Sequence, residues 1–141
     1  MAALFEHDGI RFQYPETWRL EREDTASGWT ASVQSPGTGF LLLSVDHDMP
    51  DVDQVAQTVL TALRDEYDDV EADDKVETIA GQPAVGHDIR FFSFDLTNSC
   101  WTRSFYGGDA TVLLMWQVND LELEESEPVL RAICASVQID E

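Results

Sequence analysis

The chain has 141 residues, with 28 acidic side chains against 8 basic ones and a formal net charge of −20, a balance that repels phosphate backbones and anionic lipid and so argues against nucleic-acid and membrane-surface partners. Its hydrophobic content of 43% suits a folded chain, and the length fits a single domain over residues 1–141, large enough to fold without a metal or disulfide. No run of about 18 apolar residues is present to span a bilayer, and the opening Met1-Ala-Ala-Leu-Phe-Glu-His-Asp8 has no basic region, signal-like apolar run or lipid-attachment cysteine, so the expected location is cytoplasmic.

In chain order, Asp8-Gly9 reads as a two-residue hairpin turn. Ile10, Phe12 and Tyr14 then alternate with Arg11 and Gln13, the period of a half-buried strand that Pro15 ends by lacking a donor. Trp18 to Glu23 and the run bearing Trp29, Ala31 and Val33 are further strands, and Ser35-Pro-Gly-Thr-Gly39 is a turn before Phe40 to Asp46. Asp51 and Gln54 have capping-box spacing ahead of a helix whose apolar stripe is Val52, Val55, Ala56, Val59, Leu60, Leu63 and Tyr67. Carboxylates from Asp65 onward oppose the helix dipole, so this helix is expected to fray there.

Strands return at Lys75 to Ile79. Ala84 to Leu96, Cys100 to Tyr106 and Ala110 to Val118 read as a meander, turned at Thr97-Asn98 and at Gly107-Gly-Asp109. Val112-Leu-Leu-Met-Trp116 is apolar on both faces and predicts a central strand. Glu127 to Val137 predicts a second helix, with Ser126 or Glu127 as cap and Pro128 in its first turn. This order predicts an α+β fold, an antiparallel sheet of about six or seven strands with helices packed on its faces.

Phe12-Gln-Tyr-Pro-Glu-Thr-Trp18, Gly81-Gln-Pro-Ala84 and the closing Ala135-Ser-Val-Gln-Ile139, taken with that order of elements, resemble the PsbP-like superfamily. The group includes the extrinsic subunit P of photosystem II, a Ran-binding nuclear import factor and many bacterial proteins of unknown function. One bacterial branch acts as chaperones for effectors of the type VI secretion system. The resemblance implies a PsbP-like fold and an accessory or protein-binding role, with a secretion chaperone or adaptor as an alternative. No partner-binding or metal-binding residue of the family matches this chain position by position.

The residues themselves offer several candidate sites. Asp46, His47, Asp48, Asp51 and Asp53 form the densest group of possible cation ligands, against which stands a solvated loop with Asp51 as helix cap; the run lacks calcium-loop grammar. A divalent-cation role is therefore a further alternative. Asp68, Asp69, Asp73 and Asp74 lie in an acidic stretch that offers a docking patch to a basic protein, or a solvated helix end. The acidity as a whole is spread along the chain, which favours solvation suited to a saline cytoplasm over one acidic tail. Trp29 and Trp101 sit among polar neighbours and are candidates for a groove rim or an interface, including that of a homodimer, against ordinary core packing.

For catalysis, His7, His47 and His87 lack a G-x-S-x-G or Cys-His signature, so a hydrolase is the reading least supported. Cys100 and Cys134 have no CxxC spacing and read as reduced, buried small residues. No cofactor-binding glycine loop is present. The expected function is non-catalytic binding of another protein, basic in character, with no cofactor.

Overall fold

The computed structural model describes residues 2–140. At the N-terminal end the Asp8-Gly9 turn has both residues in the left-handed region, φ 55° and 77°, the geometry whose twist matches two antiparallel strands. It joins β1 (Ala2–His7) to β2 (Ile10–Pro15) with His7 opposite Ile10. Pro15 ends the ladder, and the Trp18 N–H turns back to the Pro15 carbonyl at 3.0 Å. The chain therefore leaves this hairpin instead of extending it.

That break divides the strands into two sheets, where the sequence predicted one. The hairpin is completed by a two-residue strand from the far end of the chain, which pairs with β2 to give a three-stranded sheet. The main sheet has seven strands: β3 (Arg19–Asp24), β4 (Gly28–Gln34), β5 (Phe40–Asp46), β6 (Glu71–Ile79), β7 (Gln82–Ser93), β8 (Leu96–Gly107) and β9 (Ala110–Asn119). Their spatial order is β3-β4-β5-β9-β8-β7-β6, antiparallel throughout. The doubly apolar β9 is the middle strand, as its sequence requires.

Side chains alternate across this sheet, so its two faces make two cores. Leu41, Leu43, Val45, Val112, Leu114, Trp116 and Phe105 share one core with Phe5 and Phe12 of the hairpin. Ile89, Phe91 and Cys100 face the other way and meet the first helix. That helix, α1 (Val52–Glu66), is capped by the Asp51 carboxylate, which accepts from the Gln54 N–H at 3.2 Å. Ala56 and Leu60 are its buried residues, and it stops before Tyr67, whose ring stacks on Phe91 at 4.4 Å. It lies over β7, β8 and β9. On the same face beyond it, Phe40, Leu42, Leu113 and Met115 are only half-buried.

The second helix, α2 (Leu123–Ala135), begins four residues before the predicted Glu127, and Pro128 lies inside it instead of at its start. Two features move the boundary. The Glu122 N–H donates to Asn119 Oδ1 at 3.2 Å, and Glu124 and Glu125 bring negative charge to the positive end of the helix. Pro128 removes one internal hydrogen bond. Glu122 makes no side-chain cap; its carboxylate accepts from the Thr38 N–H and hydroxyl instead, pinning the Ser35–Gly39 turn. Leu130, Ile133 and Cys134 pack α2 onto the hairpin side of the sheet, and β10 (Gln138–Ile139) follows.

Candidate protein-interaction site

The β7–β8 connection is not at Thr97-Asn98. Ser93 pairs with Leu96, so the turn residues are Phe94 and Asp95, both left-handed at φ 53° and 62°. Asparagine and glycine suit that geometry; phenylalanine is an outlier in it. The sequence hid the turn for this reason. Phe94 is 96% exposed, Phe92 and Leu121 are also exposed, and all three lie at the same end of the sheet. The β9–α2 loop is held to the hairpin by the Asp120 N–H, which donates to the Thr97 carbonyl at 2.9 Å. Beside the turn lies a groove of about 270 Å³ lined by Asp69, Glu71, Arg90, Phe92, Thr97 and Asp120. The tip is thus an apolar projection on a mainly acidic rim, with Arg90 3.9 Å from Asp120.

Of the acidic candidates, only Asp69 lines this groove. Asp68 is exposed in the turn after α1, and Asp73 and Asp74 are exposed along the edge strand β6. Trp29 and Trp101, expected at a rim or interface, are core residues with 3% and 7% exposure. The neighbours of Trp29 are half-buried alternate positions on the other face of its strand, and those of Trp101, Cys100 and Thr102, are buried on the opposite face of the sheet. Trp29 lies against Phe5 and its Nε1–H donates to Asp8 at 2.9 Å; Trp101 stacks on Trp116.

The Asp46–Asp53 run does not converge on one point. His47 Nε2 lies 2.9 Å from Asp8 and its Nδ1 3.4 Å from Asp109, so it ties three loops together. The Asp48 N–H donates to Asp46, and Asp51 caps α1. Asp53 lies apart, lining a different cleft. Among the described residues no three His, Cys, Asp or Glu side chains are placed to hold a metal. Hydrogen bonds from Trp29 and then His47 lower the Asp8 pKa, and the bond to Asp8 raises that of His47.

His87 is buried, with Nε2 3.2 Å from Asp74 and no partner on Nδ1 among the described residues. It lines a cleft of about 330 Å³ with Asp53, Gln57, Asp74 and Lys75, and no hydroxyl or thiol side chain lines that cleft. The Thr102 hydroxyl adjoins the pair, accepting from the His87 backbone N–H at 3.1 Å, and it is fully buried instead of opening into the cleft. Both cysteines are free, and burial pushes each thiol to about 12, far from a reactive thiolate.

Beneath the sheet's other face is an ion cluster that sequence reasoning missed. Arg103, with 3% of its side chain exposed, reaches Glu77 at 2.5 Å and Asp88 at 2.7 Å. It also donates to the Thr102 and His87 carbonyls at 2.8 and 3.2 Å, and lies 5.7 Å from the Trp116 ring centre. An arginine on the inward side of an alternating strand was the available signal.

No family model and no curated protein matches this chain. Solved structures do. Cyanobacterial PsbP (CyanoP) from Synechocystis superposes with a TM-score of 0.67 at 10% identity, covering 99% of this chain and 92% of its own. LpqN, described as involved in cell envelope biogenesis of Mycobacterium tuberculosis, gives 0.64 at 14% identity over 100% of this chain and 91% of its own. PA94, a Pseudomonas aeruginosa protein of unknown function, gives 0.59 at 14% identity over 99% of this chain and 98% of its own. The chain has the PsbP-like fold.

Proposed function

We propose that this PsbP-like fold serves as a non-catalytic accessory domain that binds another protein through the β7–β8 tip. The observation that carries the reading is Phe94: an aromatic side chain held almost wholly in solvent by a turn whose conformation it disfavours. Nothing within the fold gains from that ring, whereas aromatic anchors in a partner's pocket are what dominate binding energy at protein interfaces. Phe92 and Leu121 widen the apolar surface. Asp69, Glu71, Asp95 and Asp120 lie around it with only Arg90 of opposite sign, so the matching surface is a basic one with an apolar centre. The fold by itself does not choose among functions, as its occurrence in CyanoP and in LpqN illustrates.

The test is comparative capture from the source organism with the wild-type chain and a Phe92→Ser/Phe94→Asn/Leu121→Ser variant, each checked for unchanged circular dichroism. A protein retained only by the wild type is then purified and titrated. Affinity should fall at least about tenfold in the variant and weaken with added salt. Equal binding by both would refute the reading, as would a wild-type dimer that the same substitutions dissolve, which makes the tip a self-interface.

A further inference from the structure

We propose that the groove between α2 and the distal end of β6 binds a small organic carboxylate with a short apolar body. This site is separate from the β7–β8 tip and does not depend on the interaction reading. α2 packs on β9 and β2, which leaves a groove of about 450 Å³ beside the edge strand, lined by Glu77, Ile79, Ala80, Trp116, Arg131 and Cys134.

Trp116 is fully buried, and its Nε1–H has no hydrogen-bond partner among the described residues. A buried N–H carries a desolvation penalty that an acceptor atom removes. The same indole also gathers cations. The chain has 8 basic residues, and two of them lie against this one ring, Arg103 at 5.7 Å and Arg131 at 5.6 Å from its centre. In a protein of net charge −20 the pair is a local concentration of cations, set among the carboxylates of Glu77, Asp88 and Glu127.

The two guanidinium groups are not equivalent. Arg103 is saturated by Glu77, Asp88 and two backbone carbonyls. Arg131 is half exposed, and its nearest carboxylate atoms, on Glu77 and Glu127, are each 3.9 Å away, outside hydrogen-bond range. The Arg131 fork is therefore available to a planar carboxylate in the groove that Trp116 also lines, and the ligand's second oxygen reaches the buried Trp116 N–H as the side chains over it part. Glu77 does not oppose this strongly, because its Oε1 already accepts from Arg103 Nε at 2.5 Å. Ile79, Ala80 and Cys134 give the ligand's carbon atoms an apolar wall. A single unsaturated guanidinium between two glutamates suits a monoanion better than a phosphate dianion or a polyanion.

The experiment follows the indole ¹⁵N–H signals of the labelled protein, with that of Trp116 assigned through its contacts with Trp101, during titration with butyrate. Butyramide, inorganic phosphate and sodium chloride are controls. The Trp116 signal should move and saturate with butyrate alone, while the other indole signals stay still. Arg131→Gln should weaken the response at least about tenfold, and Arg131→Lys, which keeps the charge and loses the fork, should fall between. The proposal is overturned by the absence of a saturable Trp116 shift with butyrate, by an equal shift with butyramide, or by an unchanged affinity in Arg131→Gln.

Discussion

Replacing Arg103 by methionine removes the one cation that two carboxylates share inside the sheet. Four hydrogen-bonding contacts disappear: Glu77, Asp88, the Thr102 carbonyl and the His87 carbonyl. Breaking a buried ion pair from one side costs about 3–5 kcal/mol, because the remaining charges are left uncompensated. Here Glu77 and Asp88 are 38% and 30% exposed, so they rehydrate in part and the lower end applies, about 3 kcal/mol. For a chain of 141 residues that is a fall in Tm of roughly 10 °C. The companion Glu77→Gln/Arg103→Met/Asp88→Asn variant removes the stranded charges as well, and should recover more than half of the loss, ending within about 1.5 kcal/mol of wild type. Urea unfolding followed by tryptophan fluorescence gives both values from the linear extrapolation. A loss below about 1 kcal/mol in Arg103→Met, or a triple variant less stable than the single one, would refute the reasoning.

The His47–Asp8 pair makes stability depend on pH with a defined sign. His47 has a raised pKa, so its contribution is complete below about pH 6.5 and is lost as pH rises through the folded-state value. Asp8 has a lowered one, so its contribution is present above about pH 3.9 and is lost as pH falls through the folded value. Both groups are partly solvated, which keeps the effect under about 1 kcal/mol; denaturant midpoints for His47→Gln should lose the decline above neutral pH, and an unchanged slope would assign it elsewhere. Ser104 Oγ is buried without a partner among the described residues, so Ser104→Ala should be neutral or stabilising by about 1 kcal/mol, measured by Tm, and a marked loss would reveal a bond that the hydroxyl makes. A Cβ on Gly86 would overlap the Thr102 carbonyl oxygen, whereas one on Gly81 meets nothing within 4 Å and is opposed only by its φ of 78°. Gly86→Ala should therefore cost more than about 3 kcal/mol and Gly81→Ala about 1 kcal/mol, and similar values for the two would remove the steric argument.

The elements that could be read in advance are those in which local and tertiary demands coincide. Asp8-Gly9 has the residues its turn requires, Asp51 and Gln54 have cap spacing, and Val112 to Trp116, apolar on both faces, is the middle strand, fully buried at Val112, Leu114 and Trp116 and half-buried at Leu113 and Met115. The failures have a common origin in tertiary contacts that outweigh local preference. Phe94 occupies a conformation that its own chemistry disfavours, so no turn signal marked it. Pro128 sits inside α2 because Asn119 and the acidic first turn begin that helix earlier. Trp29 points inward because its polar neighbours occupy the alternate face of its strand, and Trp101 is core because β8 is buried on both faces there, Cys100 and Thr102 included. Asp69 alone among the acidic candidates reaches the groove at the tip. Exposure of Phe92 and Leu121 depends on where the sheet ends, which no local pattern encodes.

The pairing of β2 with β10 also governs how the chain can assemble. Arg11 lies opposite Gln138 and binds both Gln138 and Asp140, a separation of up to 129 positions. During synthesis the first hairpin therefore emerges long before the strand that completes its sheet, and its inner face, with Phe5 and Phe12, must wait for α2 and the main sheet. Closure of that longest loop comes late, so the refolding rate is set by topology and belongs with the slower, non-local class of domains, milliseconds to seconds. Until then Phe5 and Phe12 are what a nascent-chain chaperone would meet first.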